Sequence, residues 1–327
     1  MALVLDRLTV ESLLDLGECI EAVERAEIAL SHGGVVMPLR LTVQVPAKQA
    51  ELNLMPAWNG TEGAFGYKGV SFFPRNPDRG LAAVGALVVL MEPDTGVPLA
   101  IMDGASITAT RTAAASAVAT RVLALPEARN LGLVGAGVQA RSHLEAMLAV
   151  RPVERVRVAA LTLEEAIAFA SRAAADHPGL DVAGVETPEE ALRDADLVCT
   201  VTWSTEPVAY AEWISPGCHI NAVGSHTPDA REIDGDLMRR ARVIVDSREA
   251  NLAECGDCLI PIREGLFSPE HVSDEIGEVL AGDKPGRTSS DEVTVYQSCG
   301  LAVQDVAAAK LVFDKALSLG VGQQVQL

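Results

Sequence analysis

Three cations within the first 111 residues stand among apolar residues, where an unpaired charge would be costly to bury. Arg40 and Lys68 lie in strand-like stretches, and Arg111 lies in an Ala-rich helical segment with hardly another charge. A buried cation needs a counter-charge. Either Asp103 or Glu51 supplies it internally, or a ligand carboxylate does, bound bidentately by Arg and as a point charge by Lys. Three such cations together favour a carboxylate-binding pocket.

A glycine-rich turn in the middle of the chain has the residue types that bind a dinucleotide pyrophosphate. Apolar residues 131–134 predict a buried strand, and a helical pattern runs from 140 to 150. In the turn between them, Gly135 permits a tight bend and Gly137 lets backbone approach phosphate without a Cβ in the way. The phosphates would meet the N–H groups and positive dipole end of the helix. With a second strand at 156–160, this order favours a nucleotide site over an ordinary strand-to-helix turn. We assign five turn residues to cofactor binding: Gly135, Ala136, Gly137, Val138 and Gln139.

A second candidate stretch is the strand-like run 219–223, which breaks at Gly224 into a polar loop that contains His226. Ligands of parallel sheets sit at the carboxyl ends of the strands. His226 is therefore either an acid/base or hydrogen-bonding group, or a plain surface residue.

The spacing of Cys255 and Cys258 is the C-x-x-C pattern of many metal sites. No second Cys pair or His pair accompanies it at zinc spacing, which favours a structural role and no metal. The six cysteines are scattered and mostly in apolar surroundings, which indicates a reduced, cytoplasmic protein.

Composition limits the possible partners. The chain has 327 residues, enough for two domains, and a formal charge of −19, which argues against nucleic acid and anionic membrane surfaces. No stretch approaches the ~20 apolar residues of a membrane span. The N-terminus carries charge too early for a signal peptide. We therefore expect a small-molecule ligand and neither nucleic acid nor a membrane as partner.

The hydrophobic periodicity predicts which elements carry these residues. A helical pattern covers residues 8–32, and short alternating runs between 38 and 102 predict an antiparallel group of strands. An Ala-rich helix follows from 105 to 125. Strands and helices then alternate as far as 245, which implies a parallel, doubly wound sheet. The terminal helix, 301–319, has no place in that alternation and is expected to return to the first domain.

Eight short motifs, spread over nearly the whole chain, resemble those of the ornithine cyclodeaminase/mu-crystallin family of NAD(P)-dependent enzymes. They are residues 38–40 (Pro-Leu-Arg), 53–56 (Asn-Leu-Met-Pro), 66–69 (Gly-Tyr-Lys-Gly), 102–104 (Met-Asp-Gly), 111–117 (Arg-Thr-Ala-Ala-Ala-Ser-Ala), 135–139, 221–224 (Asn-Ala-Val-Gly) and 296–305 (Tyr-Gln-Ser-Cys-Gly-Leu-Ala-Val-Gln-Asp). The sequence around 221–232 and 276–285 looks closer to the mu-crystallin and cyclic ketimine reductase branch.

The resemblance implies an α/β protein of two domains. Residues 1–125, completed by the helical segment 301–327, would form an α+β substrate-binding and dimerisation domain, and residues 126–300 a Rossmann-type domain that binds NAD(P)H. It also implies a homodimer and hydride exchange between nicotinamide and the α-carbon of an amino or imino acid. The residues implied for the substrate are Arg40, Met55, Lys68 and Arg111. Those implied for the cofactor, besides the glycine turn, are Arg111, Leu161, Thr162, Thr200, Val201, Thr202, Val223, Gly224 and Ser298.

Two departures from the family pattern bear on function. Ornithine cyclodeaminases place an Asp in the loop after the 221–224 motif, where this chain has His226, so the amine and water steps lose their carboxylate. Reduction of a preformed imine needs only a carboxylate clamp, a hydride and one proton donor. After the strand at 156–160, Leu161 and Thr162 supply neither the acid that binds the ribose of NAD nor the Arg that accommodates the phosphate of NADP.

The sequence therefore predicts reduction of a cyclic imino acid with NAD(P)H. Lys68, or a water held by His226, would protonate the imine nitrogen. An amino-acid cyclodeaminase or an alanine-type dehydrogenase would use the same pocket in the oxidative direction. A protein of another class would keep the fold and bind a carboxylated ligand without turnover.

Overall fold

The computed structural model describes residues 1–326, and the chain divides into two compact units. The first unit comprises Met1–Ala114 and the segment from Leu301 onward, and the second unit comprises Ala115–Gly300. The sequence predicted this division after the Ala-rich helix, at residue 125. The structure places it inside that helix, which runs from Gly104 to Leu123.

The first unit begins with helices and a long antiparallel meander. Its elements up to the division are β1 (Ala2–Leu5), α1 (Arg7–Leu13), α2 (Leu16–Ser31), β2 (Val35–Val36), β3 (Leu41–Val45), β4 (Ala50–Asn59), β5 (Ala64–Phe72), β6 (Val84–Met91), β7 (Pro98–Asp103) and α3 (Gly104–Leu123). The sequence predicted one helix over 8–32, which is wrong because Asp15 starts a second helix. Its carboxylate accepts from the N–H of Glu18 at 3.0 Å, and Asp6 caps α1 in the same way through Thr9.

The second unit contains the alternating elements. They are β8 (Asn130–Val134), α4 (Val138–Val150), β9 (Arg155–Ala159), α5 (Leu163–Asp176), β10 (Asp181–Gly184), α6 (Pro188–Leu192), β11 (Leu197–Thr200), β12 (His219–Ala222), α7 (Gly235–Arg240), β13 (Arg242–Val245), α8 (Arg248–Glu254), α9 (Gly256–Arg263), β14 (Asp274–Glu275), α10 (Ile276–Leu280) and β15 (Thr294–Gln297). The chain then rejoins the first unit with α11 (Ala302–Leu319) and β16 (Gln323–Val325).

The sheet of the second unit has the order β10-β9-β8-β11-β12-β15-β13-β14, and all its pairs are parallel. This confirms the predicted doubly wound sheet. The chain builds outward from β8 through β9 to β10 on one side and continues with β11 on the other. The strand order therefore reverses between β8 and β11, where sheets of this kind bind their ligands outside the carboxyl ends of the strands.

The sheet of the first unit has the order β16-β1-β7-β6-β5-β4-β2, with β3 also paired to β4. Successive side chains of a strand point to opposite faces. The face that carries Met55 and Lys68 is buried, and helices α2 and α11 pack on the sheet. The other face presents exposed apolar side chains from four neighbouring strands. These are Leu41, Val43, Leu52, Trp58, Tyr67 and Leu87.

No helix within residues 1–326 combines the length and the apolar character that crossing a bilayer requires. The longest, α3 and α11, are instead mostly buried within the fold.

Candidate active site

The first unit brings two of the predicted cations together on one buried carboxylate. Lys68 on β5 and Arg111 on α3 both reach Asp305 in the first turn of α11. The Lys68 Nζ lies 2.9 Å from Oδ1 and 2.8 Å from Oδ2 of Asp305, and the Arg111 Nε lies 2.7 Å from Oδ1. The alternative in which Asp103 or Glu51 pairs with these two cations is wrong, because their partner, Asp305, comes from the other end of the sequence.

Two polar side chains extend this network. Arg111 Nη1 donates to the Gln304 Oε1 at 2.8 Å, and Gln304 Nε2 donates to the buried Glu27 at 2.6 Å. Gln304 thus stands between Glu27 and the cations. When all of them are ionised, Lys68, Arg111 and Asp305 together carry one surplus positive charge. Arg40, which is close enough to lower the pKa of Lys68, offsets the carboxylate of Glu27 and keeps the total at one positive charge. A ligand carboxylate would balance it.

The surroundings of Lys68 make its charge sensitive to pH. Burial, and after it the charge of Arg111, lower the pKa of its ammonium to about 7, against the opposing effect of Asp305. The charge of Arg40 also lowers this pKa, so its guanidinium lies close enough to Lys68 to repel the ammonium. Lys68 can therefore gain or lose a proton near neutral pH, which an ordinary lysine cannot do.

The other two predicted substrate residues lie in the same unit. Arg40 immediately precedes β3 and is half-buried. Met55 on β4 is directly opposite Lys68 in the β4–β5 register and is buried. The four residues named for the substrate therefore lie on neighbouring parts of one sheet and on α3.

The two glycines of the turn after β8 have different reasons to be glycine. Gly135 has φ +117°, and a Cβ there would lie 2.8 Å from the carbonyl oxygen of Val201, so the fold itself requires glycine. Gly137 is the N-cap of α4 with φ −84°, which any residue adopts, and a Cβ there would meet no atom within 4 Å. The fold therefore does not itself require glycine at 137.

Six more of the predicted cofactor residues lie at or after the carboxyl ends of neighbouring strands. Thr200 ends β11, with Val201 and Thr202 behind it; Val223 and Gly224 follow β12. Ser298 follows β15. These strands adjoin one another and β8 in the sheet, so these residues share one edge with the glycine turn.

His226 lies two residues beyond Gly224 and is partly buried. Its Nδ1 is 2.9 Å from the Gly224 carbonyl oxygen, and its ring meets the Trp203 ring edge-on at 5.2 Å. A carbonyl only accepts, so Nδ1 carries a hydrogen. These two contacts hold the His226 side chain in place beyond the carboxyl end of β12.

The model of the ornithine cyclodeaminase/mu-crystallin family matches residues 1–320. The chain belongs to this family. It is 43% identical to the ketimine reductase mu-crystallin of Mus musculus over 282 residues, which is 86% of each chain. Among solved structures it is similar to the delta(1)-pyrroline-2-carboxylate reductase of Thermococcus litoralis in complex with NADH and L-proline, with 40% identity, TM-score 0.96 and coverage of 99% of this chain and 100% of that one. It is also similar to an archaeal alanine dehydrogenase dimer with bound NAD, with 37% identity, TM-score 0.94 and coverage of 100% and 99%.

The expected membership of the ornithine cyclodeaminase/mu-crystallin family is therefore confirmed, and the departures from the family pattern can be located. Strand β9 ends at Ala159; Leu161 is 95% exposed, and Thr162 is the N-cap of α5. The acid that completes this capping box is Glu165. The two residues that follow Ala160, Leu161 and Thr162, are neither acidic nor basic.

Three buried acids in this family member were not predicted as site residues. Asp305 appeared only inside the 296–305 motif, although an acid in the apolar run of α11 carries the same signal as the buried cations. Glu232 and Asp246 accept hydrogen bonds from the loops at the carboxyl edge of the second sheet. Their sequence context gives little sign of this, since most of their partners are backbone N–H groups.

Cys255 and Cys258 are both buried and neither forms a disulfide. Cys255 precedes α9, and its Sγ lies 3.7 Å from the Ser225 hydroxyl. Within residues 1–326 no group of three or more His, Cys, Asp or Glu side chains could hold a metal ion. A structural role for the pair stays a prediction.

Proposed function

We propose that this protein reduces the C=N bond of a cyclic imino acid, of the pyrroline- or piperideine-2-carboxylate class, to the cyclic amino acid with NAD(P)H. The observation that carries the proposal is the buried group of Lys68, Arg111 and Asp305, which holds one surplus positive charge. The similarity to a pyrroline-2-carboxylate reductase over the whole chain supports it.

The substrate carboxylate is assigned to the cations of the first unit. Arg40 and Arg111 bind it by charge-assisted hydrogen bonds, which are strongest where water is excluded. Met55, buried opposite Lys68, packs against the apolar ring. Asp305 keeps Arg111 and Lys68 in place without neutralising both. The pocket is thus complementary to one carboxylate on an otherwise apolar molecule.

Reduction of the imine needs a proton at nitrogen as well as a hydride at carbon. Lys68 is assigned as the donor because burial brings its pKa to about 7, near the operating pH that suits a general acid. A water held by the Nε2 of His226 is the alternative donor. The imine nitrogen takes the proton, and Asp305 stabilises Lys68 in the protonated form from which it donates.

A dinucleotide fits the second unit on the evidence of Gly137, where a side chain would extend into open space in front of the α4 N-terminus. Bound NAD(P)H supplies the hydride. The N–H groups of the turn and of the first turn of α4 would hold the pyrophosphate. The loops after β11, β12 and β15 would hold the rest of the cofactor, through Thr200, Val201, Thr202, Val223, Gly224 and Ser298. Arg111, Leu161 and Thr162 are also assigned to cofactor binding.

A homodimer joined through the first unit completes the proposal. The face of its sheet opposite α2 and α11 presents apolar side chains from four neighbouring strands, a surface that monomers rarely leave in water. The similar archaeal alanine dehydrogenase is a dimer. The six buried cysteines, none in a disulfide, support a reducing, cytoplasmic compartment.

An alanine-type amino-acid dehydrogenase is the second candidate, favoured by the similarity to the archaeal enzyme. It would use the same carboxylate pocket for a linear amino acid. Cyclodeaminase activity is disfavoured because His226 replaces the carboxylate that the resemblance places in that loop.

One panel assay tests the assignment. Oxidation of NADH and NADPH is followed with pyrroline-2-carboxylate, with piperideine-2-carboxylate and with pyruvate plus ammonia, and ammonia release is measured with ornithine. We expect the cyclic imines to have the highest kcat/KM and ornithine to release no ammonia. A higher kcat/KM with pyruvate and ammonia would favour the dehydrogenase, and conversion of ornithine to proline would overturn the reductase.

A further inference from the structure

We propose that Glu232 is a positioning residue that fixes the dinucleotide-binding edge of the second unit. Its carboxylate joins the chain after β11 to the chain after β12, the two segments assigned above to the cofactor. We call the hydrogen bonds from Thr202 and Gly224 to this carboxylate the latch. The inference rests on the proposed function, because it presumes that a dinucleotide binds at this edge.

The carboxylate of Glu232 accepts three short hydrogen bonds. Thr202 donates to Oε1 through both its backbone N–H and its hydroxyl, each at 2.6 Å. Gly224 donates its backbone N–H to Oε2, also at 2.6 Å. Each oxygen of the fully buried side chain thus holds a different loop.

These backbone groups need a partner because they lie beyond the end of the sheet. The register of β11 and β12 ends at Thr200 opposite Ala222, and the last ladder bond runs from Val223 N–H to the Thr200 carbonyl. Beyond that bond the strands no longer pair, and a buried N–H without an acceptor costs about 1–3 kcal/mol. Just past this point, the Glu232 carboxylate accepts the N–H of Thr202 after β11 and that of Gly224 after β12.

The packing around Gly224 shows how closely the latch fits. A Cβ on Gly224 would lie 2.2 Å from the Thr202 carbonyl oxygen and 2.5 Å from the Glu232 Cδ. No side chain can be accommodated there, so the two loops and the carboxylate are in contact throughout. Glycine at 224 is therefore required by the latch itself.

Glu232 is in turn held rigidly by its own backbone. Its N–H and that of Ile233 donate to Asp257 Oδ1 at 2.7 and 2.8 Å, and its carbonyl accepts from the N–H groups of Val208 and Ala209. Burial raises the pKa of the Glu232 carboxyl, and the hydrogen bonds from Thr202 and Gly224 oppose that shift. A fixed anchor of this kind preorganises the loops and lowers the entropy that a ligand must remove on binding.

Glu232→Gln tests the latch because an amide cannot replace it. All the groups that point at the two oxygens donate, so either orientation of the amide sets an N–H against a backbone N–H. We expect the Kd for NADH, measured by calorimetry, to rise at least about tenfold, equivalent to about 1.4 kcal/mol. The KM for the imino acid and kcat at saturating NADH should stay close to wild type.

Asp234→Asn is the matched control, an acid-to-amide change two residues away. Asp234 caps α7 through a single oxygen, Oδ2, which the amide oxygen of Asn can replace. We expect its NADH affinity and Tm to equal those of the wild type.

The outcomes separate the latch from the proposed function. An unchanged NADH affinity in Glu232→Gln overturns the positioning role. So does a fall in kcat, or a rise in the KM for the imino acid, that is as large as the rise in the Kd for NADH. Failure of the wild type to bind NADH or NADPH overturns the proposed function instead. Should Glu232→Gln not fold, amide exchange of the cofactor-free wild type decides: slow exchange at Thr202 and Gly224 is expected, and fast exchange overturns the latch.

Discussion

The two units both bury ionisable side chains, but they compensate the charges in different ways. In the first unit one carboxylate, Asp305, pairs with two cations and leaves a surplus charge. In the second unit the buried carboxylates of Glu232 and Asp246 have no cation among their hydrogen-bond donors and instead accept from N–H and hydroxyl groups of nearby loops. An unbalanced charge can bind a charged ligand, whereas a carboxylate saturated by neutral donors can only hold the chain in position.

The pKa shifts follow the same division. Burial lowers the pKa of Lys68 to about 7 in the first unit and raises that of Asp246 to about 6 in the second. Both shifts disfavour the charged form. Only Lys68 lies among groups assigned to the substrate, so only there should the shift be visible in catalysis.

The largest expected effect is on folding, from Asp305→Asn. This change leaves two buried cations without an anion, and we expect the free energy of unfolding to fall by about 3–5 kcal/mol in urea titrations. Asp246→Asn is the comparison from the second unit. Its carboxylate loses neutral donors only, so a smaller loss of about 1–3 kcal/mol is expected. Equal losses in the two variants would contradict the distinction between the units.

Gly137→Val should separate cofactor binding from folding. A branched side chain in front of the α4 N-terminus meets no protein atom near its Cβ but excludes a pyrophosphate. We expect the Kd for NAD(P)H to rise at least about 100-fold, or about 2.7 kcal/mol, with an unchanged Tm. Calorimetry that found wild-type affinity would show that the nucleotide binds elsewhere.

Arg40→Ala should have the complementary effect in the first unit. Loss of one charge-assisted contact to the substrate should weaken imino-acid binding by about 2 kcal/mol, measured as a rise in KM. NADH affinity should be preserved, and Arg25→Ala, on an exposed ion pair with Glu62 in the same unit, is the control. A normal KM in Arg40→Ala would remove this residue from the pocket.

The pH dependence of KM tests the titration of Lys68. Below about 7 its ammonium is protonated and the pocket is positive; above that pH the proton is lost and so is the surplus charge. The KM for the anionic substrate should therefore rise with pH, by about tenfold per unit well above the pKa, if only the charged form binds. Lys68→Met should have a high KM that varies little with pH. A flat wild-type profile from pH 6 to 9 would show that Lys68 stays charged throughout.

The smallest effect is expected at His226. If this side chain only orients a water or the ligand, His226→Ala should lower kcat a few-fold, well short of the ~10²–10⁴ lost with a general acid. Steady-state kinetics at pH 7 give the kcat of His226→Ala relative to that of the wild type. A loss of 10³-fold would make His226 the proton donor and leave Lys68 a binding residue.

Local signals in the sequence predicted the parallel sheet and the glycine turn, because a buried strand, two glycines and a helix lie within twenty residues. The break between α1 and α2 was missed because the apolar spacing continues through Asp15, whose capping role depends on one side-chain rotamer. Short strands such as β10 and β16 have too few residues to show an alternation. The Lys68–Asp305 pair was missed because 237 residues separate its members. Glu232 was missed because backbone N–H groups, which every residue but proline has, are its main partners.

The most direct test of the account compares two imines that differ only in the carboxylate. NADH and NADPH oxidation is measured with pyrroline-2-carboxylate and with 2-methylpyrroline, which has a methyl group in its place. If the surplus charge beside Asp305 binds the substrate, kcat/KM for the carboxylated imine should exceed that of the methyl analogue by at least about 100-fold, and Arg40→Ala should reduce that ratio. Equal kcat/KM values for the two imines would contradict a carboxylate pocket in the first unit.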